Sequence, residues 1–333
     1  MSTTEPTRKA RLGAELPLRR LALAVSRARV TRRGLQIALG LFWLLDGALQ
    51  FQPFMLRASF ARDVLAPVAD GQPHWVAGPV HWAANIVAAH PLAWDVPFAS
   101  VQVLLGLGML VPRTARLALA ASLPWSIAVW YLGEGLSGLA GGNASIISGA
   151  PGSALLYALL ALAAWPRGGR SDVAPPRFLP YAWATFWIGG AFYQALPPNN
   201  TGADLAGQIT AFPGPSWLAS VQNSLARFVT HHGVAAVVVV AAVEALIGLA
   251  ALRRTTLRSS AAAGLVALLA IWVIGQDFGQ LYTGQATDPN TGAIAALVAM
   301  ALLFGYRRRG AQTAPGFREE APLRWTSPPR AGS

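Results

Sequence analysis

The chain has no cysteine among its 333 residues. Disulfide bonds, thiolate metal sites, iron–sulfur clusters and CxxC redox motifs all need cysteine, so this absence excludes each of them within the chain. The five histidines form no HxH or HxxxH pair. We therefore predict no metal site, and we interpret the histidines as side chains of external loops.

Charged residues are also scarce. They make up 12% of the chain, whereas apolar residues make up 54% and the mean hydropathy is +0.43. This composition is typical of membrane proteins. The net charge of +12 does not indicate a nucleic-acid partner, because the sequence has no soluble basic face with base-stacking aromatic residues. The expected partner is the lipid bilayer.

Long apolar segments are abundant. Eight of them are long enough, or nearly so, to cross a bilayer, which takes about 20 residues. They lie near residues 34–52, 94–112, 115–133, 150–166, 178–196, 233–252, 259–276 and 290–306. The sequence therefore predicts an all-α integral membrane protein with eight transmembrane helices.

The central part of the chain contains an internal sequence repeat. Sliding the sequence by 142 positions superimposes Trp75 on Trp217, Gly106 on Gly248, Thr114 on Thr256, Trp130 on Trp272 and Gly133 on Gly275. A shift of 144 positions aligns the upstream part, including Gln50 with Gln194. Such a repeat indicates a duplicated fold unit. We predict two parallel four-helix repeats, 34–170 and 178–310, with a linker at 171–177, a basic amphipathic segment at 1–33 and a disordered tail at 311–333.

Arginine predicts the orientation. Of the 26 basic residues, 23 fall on one side of the predicted spans, and only Arg57, Arg62 and Arg227 fall on the other. Basic loops resist translocation, so both termini are predicted to be cytoplasmic. Lys9 is the only lysine, which together with abundant Ala, Gly and Pro suggests a GC-rich bacterial genome. The predicted location is the bacterial plasma membrane.

The long external loops contain helical patterns. In 216–229, Trp217, Val221, Leu225 and Phe228 recur at helical spacing, which is typical of an amphipathic helix lying at the membrane interface. Segment 75–90 has a similar pattern, and the basic segment 1–33 offers a third such helix for the cytoplasmic leaflet. Irregular loops packed over the bundle are the alternative for the two external segments.

Four spans per unit, an aromatic and glycine-containing first span, and a Gly-rich turn before the fourth span resemble the DoxX/DoxD-like family of small membrane proteins. The segments 133–138 (GEGLSG) and 275–280 (GQDFGQ) contribute most to this likeness. The resemblance implies a tandem fusion of two units. It also implies a role beside a partner oxidoreductase subunit, because some members are membrane subunits of thiosulfate:quinone oxidoreductases or of redox-defence complexes.

Acidic residues inside predicted spans are the first functional candidates. Asp46 and Glu244 lie within spans, where an acid costs about 2–4 kcal/mol on insertion scales and normally faces a cavity or a partner. The candidate ligand-binding residues are Trp43, Asp46, Gln50, Trp130, Glu134, Gln194, Glu244 and Asp277. The alternative is a structural role as hydrogen-bonding residues that hold helices together, worth about 0.6–2 kcal/mol each.

The repeat alignment places each of these acids in one half only. It pairs Asp46 with Gly190, Gln102 with Glu244, Glu134 with Gln276, and Gly135 with Asp277. This alternation indicates either one specialised composite site or separate drift of each acid.

Three functions fit these patterns. The first is a redox subunit that binds a quinone between helices, on a surface formed by Trp43, Asp46, Gln50, Trp130 and Glu134. The second is a proton-coupled transporter, which parallel repeats and Glu244 would suit. The third is a non-enzymatic scaffold for a partner complex.

Overall fold

The computed structural model describes residues 30–166 and 176–305, and every regular element in these two ranges is helical. The first range contains α1 (Arg32–Gln50), α2 (His74–Ala89), α3 (Pro91–Leu110), α4 (Ala115–Leu132) and α5 (Ser153–Ala163). The second contains α6 (Leu179–Gln194), α7 (Gly202–Ile209), α8 (Ser216–His232), α9 (Val234–Ala251), α10 (Leu257–Ile274) and α11 (Asn290–Gly305). Short helical turns occupy Ala58–Phe60, Ala61–Leu65, Ala66–Ala69, Gly135–Gly138 and Asp277–Gln280.

A helix lies at each of the eight predicted span positions: α1, α3, α4, α5, α6, α9, α10 and α11. Four of them, α3, α4, α9 and α10, are long and apolar enough to cross a membrane. α5 and α11 are apolar but shorter, with 11 and 16 residues. The helical class and an association with membranes are thus confirmed, whereas the count of eight spans stays a prediction.

The helices pack in a central and an outer group. α5 and α11 contact each other at the centre and bury most of their residues. α3, α4, α9 and α10 lie outside and direct large aliphatic side chains outward; Leu104, Leu117, Leu246 and Val266 are 66% to 73% exposed. Extensive exposed apolar surface of this kind marks contact with a membrane or a partner.

α1 packs closely against α3, and glycine allows this approach. A Cβ at Gly106 would lie 2.7 Å from the Gly40 carbonyl oxygen and 2.9 Å from the Leu44 amide nitrogen. α6 packs against α9 in the same manner, where a Cβ at Gly248 would lie 3.0 Å from the Ala184 carbonyl oxygen. These two helix pairs form the framework on which the other helices pack.

The two ends of the bundle differ in charge. At one end, here called the basic end, the Arg33 guanidinium donates hydrogen bonds to the carbonyl oxygens of Met109 (2.8 Å) and Leu110 and so closes the C-terminus of α3. The turns between α3 and α4 and between α9 and α10 add arginines there. The opposite end, here called the loop end, contains α2, α7, α8 and the short helical turns.

Both segments predicted to be external and amphipathic are helices. Segment 216–229 lies within α8, and segment 75–90 lies within α2 apart from its last residue. The predicted stripe of α8 faces outward, with Trp217 58% exposed and Phe228 57% exposed, while Leu218 and Gln222 are buried. An outward apolar stripe fits an interfacial helix. The third such helix, predicted in 1–33, the disordered tail at 311–333 and most of the linker lie outside the described residues.

Candidate functional site

A cavity of about 220 Å³ lies inside the group formed by α1, α3, α4 and α5. We call it the acid cavity, because its wall includes Asp46, Glu134 and Asp288. Phe60, Val64, Leu65 and residues of α2 also line it. The wall contains four of the five residues predicted for a quinone site, namely Trp43, Asp46, Gln50 and Glu134.

The fifth predicted residue, Trp130, has a different position. Its indole N–H donates a hydrogen bond to the Pro151 carbonyl oxygen at 2.7 Å. Trp130 does not line the acid cavity. It instead holds the loop that leads into α5.

Helical spacing explains why α1 supplies three wall residues. Trp43, Asp46 and Gln50 are three and four positions apart, so they share one face of the helix. All three are buried, and Asp46 is only 2% exposed. The Tyr157 hydroxyl of α5 faces the Asp46 carboxyl.

Aromatic rings form much of the wall. The Trp43 and Tyr157 rings lie 4.6 Å apart between centroids, tilted by 31°. On the α3 and α4 side, Phe98 meets Trp125 edge to face at 5.7 Å. Such walls suit a flat, largely apolar ligand.

Several buried polar atoms of this wall have no hydrogen-bond partner among the described residues. They are Trp43 Nε1, Asp46 Oδ1, Gln50 Oε1, Gln102 Oε1, Trp125 Nε1 and the Tyr157 hydroxyl. A buried polar group without a partner costs about 1–3 kcal/mol, so native proteins seldom group six of them. The grouping is typical of a surface that a polar ligand or solvent completes.

Glu134 connects the cavity to the N-terminus of α5. One of its carboxylate oxygens accepts hydrogen bonds from the Ser153 hydroxyl (2.7 Å) and the Ala154 amide (2.9 Å). Burial raises the pKa of the Glu134 carboxyl to about 7; the Asp288 carboxylate adds to the increase, and the hydrogen bonds from Ala154 and Ser153 oppose it. Glu134 therefore caps a helix and can also exchange a proton near neutral pH.

Asp288 reaches the acid cavity from the distant loop before α11. Its carboxylate accepts hydrogen bonds from the Asn290 amide (2.7 Å) and the Thr287 hydroxyl (2.9 Å), and it interacts electrostatically with Asp46 and Glu134. The sequence pattern around Asp288 indicates only a turn. Nothing in it reveals that the turn lies against the first half.

Three further buried polar residues were missed by sequence reasoning. Tyr157 and Gln102 line the acid cavity, and the only signal for Gln102 was its alignment with Glu244. Asp95 lies within the predicted span 94–112, is fully buried, and has no hydrogen-bond partner for either oxygen among the described residues. Asp95 does not line the acid cavity.

The remaining candidates, all from the second half, lie apart from the acid cavity. Gln194 donates a hydrogen bond to the Asn199 carbonyl oxygen (2.7 Å), and Asp277 accepts one from the Tyr282 hydroxyl (2.6 Å). Glu244 is buried on α9, and its Oε2 has no hydrogen-bond partner among the described residues. The eight candidates therefore do not form one site.

Ile146 occupies the place in the second half that faces Gly190 and Glu244. A Cβ at Gly190 would collide with the Ile146 side chain and lie 3.2 Å from Glu244 Oε2. The offset of 142 positions that aligns the halves pairs Ile146 with Asp288. The loop before α11 thus extends into the first half and supplies an acid there. The loop before α5 extends into the second half and supplies an aliphatic side chain.

Three prolines interrupt helices around the acid cavity, and two of them adjoin its aromatic wall. Pro97 interrupts α3 and Pro124 interrupts α4, each directly before an aromatic wall residue. Proline removes a helical hydrogen bond and frees a carbonyl oxygen one turn earlier. At the aligned positions of the second half stand Val239 and Val266, which leave the helical ladder intact.

A second, more polar cavity of about 390 Å³ adjoins the acid cavity and shares Glu134, Ser153, Thr287 and Asp288 with it. No group of three His, Asp or Glu side chains that could hold a metal ion occurs in the part of the chain that the structure describes. The histidines lie at the loop end, in or next to α2 and at the end of α8.

No protein-family model, curated protein or solved structure matches this chain. The chemistry of the acid cavity must therefore be inferred from its own residues.

Proposed function

We propose that the chain is an eight-span membrane protein built from two DoxX/DoxD-like four-helix units. In this proposal the acid cavity binds the head group of a quinone, and the protein serves as the membrane subunit of an oxidoreductase system. The observation that supports the quinone site best is the grouping of aromatic walls, unpaired polar atoms and carboxyl groups around one small cavity.

Matched hydrogen bonds support the duplication. Trp130 and Trp272 each donate from Nε1 to a proline carbonyl oxygen before the following helix, both at 2.7 Å. Glu134 accepts from the Ala154 amide and Gln276 accepts from the Gly292 amide, both at 2.9 Å. These equivalent caps fit one ancestral unit that has been copied.

The wall suits a quinone for geometric reasons. A quinone head group is a flat ring with two carbonyl oxygens that accept hydrogen bonds. The unpaired indole N–H groups of Trp43 and Trp125 can donate to such oxygens. A cavity of about 220 Å³ is smaller than the pockets that hold drug-sized ligands, and so it fits one ring rather than a large cofactor.

The carboxyl groups suit the reaction. Reduction of a quinone to a quinol takes two electrons and two protons, and the protons bind to the two ring oxygens. Asp46 and Glu134 line the cavity and can supply protons. In this proposal a partner oxidoreductase subunit supplies the electrons; a chain without cysteine does not bind an iron–sulfur cluster through thiolates.

The test is chemical analysis of the bound lipid. We expect wild-type protein purified in its native lipids to release a quinone on solvent extraction and mass spectrometry. Asp46→Leu should lose it while keeping the same elution volume and thermal midpoint, because only the polar wall is changed. Glu244→Gln is the matched control, since this buried acid lies outside the acid cavity, and it should retain the quinone.

Two outcomes would oppose the proposal. An absence of quinone from folded wild-type protein that co-purifies with partner subunits would favour the scaffold function. Equal quinone content in wild type and Asp46→Leu would place the ligand elsewhere.

A further inference from the structure

The polar cavity offers a route between the loop end and Asp46. Among its wall residues, Asp70 and Asn143 are exposed, so it reaches the surface. At its inner side it shares Glu134 and Asp288 with the acid cavity. A surface residue and a buried carboxyl group are thus linked by two adjoining cavities.

Three carboxyl groups from three distant segments meet at this junction. Asp46 comes from α1, Glu134 follows α4, and Asp288 precedes α11. Asp46 interacts electrostatically with both of the others, and Glu134 interacts with Asp288. All three carboxyl groups line the acid cavity, and a carboxyl group can both donate and accept a proton, so the three can share protons.

The charge environment favours this sharing. No lysine, arginine or histidine lines either cavity in the described part of the chain, so no basic side chain there would hold the acids permanently ionised. The other titratable groups that face the junction are Tyr157 on α5 and Asp70 in the loop before α2. The serine and threonine hydroxyls of the shared wall can donate and accept hydrogen bonds along the route.

We propose that Asp288 and Glu134 relay protons between the loop-end surface and Asp46. A proton binds to one carboxylate oxygen as the O–H bond of the preceding carrier breaks, and the last carboxyl group donates to the ligand. The relay depends on the proposed function in one respect only: the quinone is the group that takes up the relayed protons. The second half has no such route, since Ile146 and Gln276 occupy the positions that align with Asp288 and Glu134.

The experiment measures proton exchange at Asp46 without any added quinone. The purified full-length protein in lipid nanodiscs is transferred rapidly from H₂O to D₂O, and the shift of the Asp46 carboxyl infrared band is followed; Asp46→Asn identifies the band. We expect the double variant Glu134→Gln/Asp288→Asn to slow the exchange by about tenfold or more, since a positioned acid–base group typically accelerates proton transfer by about 10²–10⁴.

Both substitutions leave hydrogen-bond acceptors in place. Glutamine already caps α11 at position 276, and asparagine can still accept from the Asn290 amide. Asp277→Asn is the control, because Asp277 is buried outside both cavities, and it should leave the exchange rate unchanged.

An unchanged rate in a folded double variant would overturn the relay, as would an equal slowing in Asp277→Asn. The outcome is separable from the quinone test. If no quinone is extracted but exchange depends on Glu134 and Asp288, the relay stands and the proposed ligand is wrong. If quinone is bound and exchange is unaffected, the ligand stands and the relay is wrong.

Discussion

Single residues decide which half of this molecule has an acid cavity. Asp288 and Ile146 occupy aligned positions, and each contacts the opposite half. An aspartate leaves a polar cavity wall, whereas an isoleucine fills the corresponding space. The lack of an acid at position 190, which aligns with Asp46, is therefore explained by packing: a side chain there has no room beside Ile146.

The protonation of Glu134 predicts how the stability of the fold depends on pH. Its pKa in the folded protein is raised to about 7 from an ordinary value of 4.5, so between these values the folded state binds more protons than the unfolded state. The stabilising contribution is present below about pH 4.5 and is lost as the pH rises to about 7. We expect the thermal midpoint of wild type in detergent to fall more steeply over this window than that of Glu134→Gln.

Glu134→Leu distinguishes the helix-capping role of Glu134 from its role as a group that binds a proton. It leaves the Ala154 amide and the Ser153 hydroxyl without their acceptor, so it should cost about 1–3 kcal/mol at every pH. Glu134→Gln keeps an acceptor and should cost less. Parallel pH profiles for wild type and Glu134→Gln would contradict the assignment.

For Glu244, in contrast to Glu134, we predict that substitution has little effect on stability. It is buried but lies outside the acid cavity, and the repeat has glutamine at the aligned position 102. Glu244→Gln should therefore change the free energy of unfolding by less than about 0.5 kcal/mol, the range of substitutions that break no specific interaction. A large loss in a denaturant titration would indicate that Glu244 makes a specific interaction that glutamine cannot replace.

At the scale of elements, close helix pairs form the bundle and α2 and α8 are each anchored to it; of these two helices, α2 lines the acid cavity and α8 does not. The Tyr131 hydroxyl of α4 donates to the Trp75 carbonyl oxygen of α2 at 2.5 Å, and the Gln222 amide of α8 donates to the Ile274 carbonyl oxygen of α10 at 2.6 Å. Each of these helices is thus fixed to the bundle by a hydrogen bond to a main-chain carbonyl oxygen, and the face that α2 buries is apolar. The aromatic side of each helix is left facing outward, where an interfacial helix meets lipid.

The close packing of α1 against α3 predicts that replacing Gly106 destabilises the fold. Gly106→Ala brings a methyl group within 2.7 Å of the Gly40 carbonyl oxygen, and such overpacking costs about 1–3 kcal/mol. Gly189→Ala is the matched control, because no atom lies within 4 Å of its Cβ position; alanine there should be neutral or stabilising by up to about 1 kcal/mol. Equal thermal midpoints for the two variants would contradict the close packing.

At the scale of the whole molecule, the distribution of arginines and the position of the apolar surface support the same orientation in a membrane. The described arginines concentrate at the basic end, while Arg57, Arg62 and Arg227 lie at the loop end with both external helices. The outer helices present aliphatic surface between these ends. This arrangement supports the proposed orientation, in which the basic end faces the cytoplasm.

The topology prediction follows from that orientation. Reporter domains fused after Arg170 and after Arg309 should both report the cytoplasm, and one inserted near Gly71 should report the outside, because basic segments resist translocation. An external signal at position 170 would overturn the arrangement of four spans plus four.

The sequence by itself determined the helical class, the positions of the helices and the face of α1 that bears Trp43, Asp46 and Gln50. These properties depend on apolar run length and on the helical period, both of which are local. Local pattern also identified α2 and α8 as amphipathic helices. It could not assign roles to the eight candidate residues, since residues that align in the repeat have different neighbours.

Only the tertiary structure decided that Asp288 meets Asp46 and Glu134, that Tyr157 faces Asp46, and that Ile146 fills the opposite half. These contacts join residues that lie 44 to 242 positions apart in the chain, and they result from how α5 and α11 pack at the centre. Helical period fixes which side of a helix a residue occupies, but not what comes to lie against it. The acid cavity depends on that second property, because its walls come from both halves of the chain.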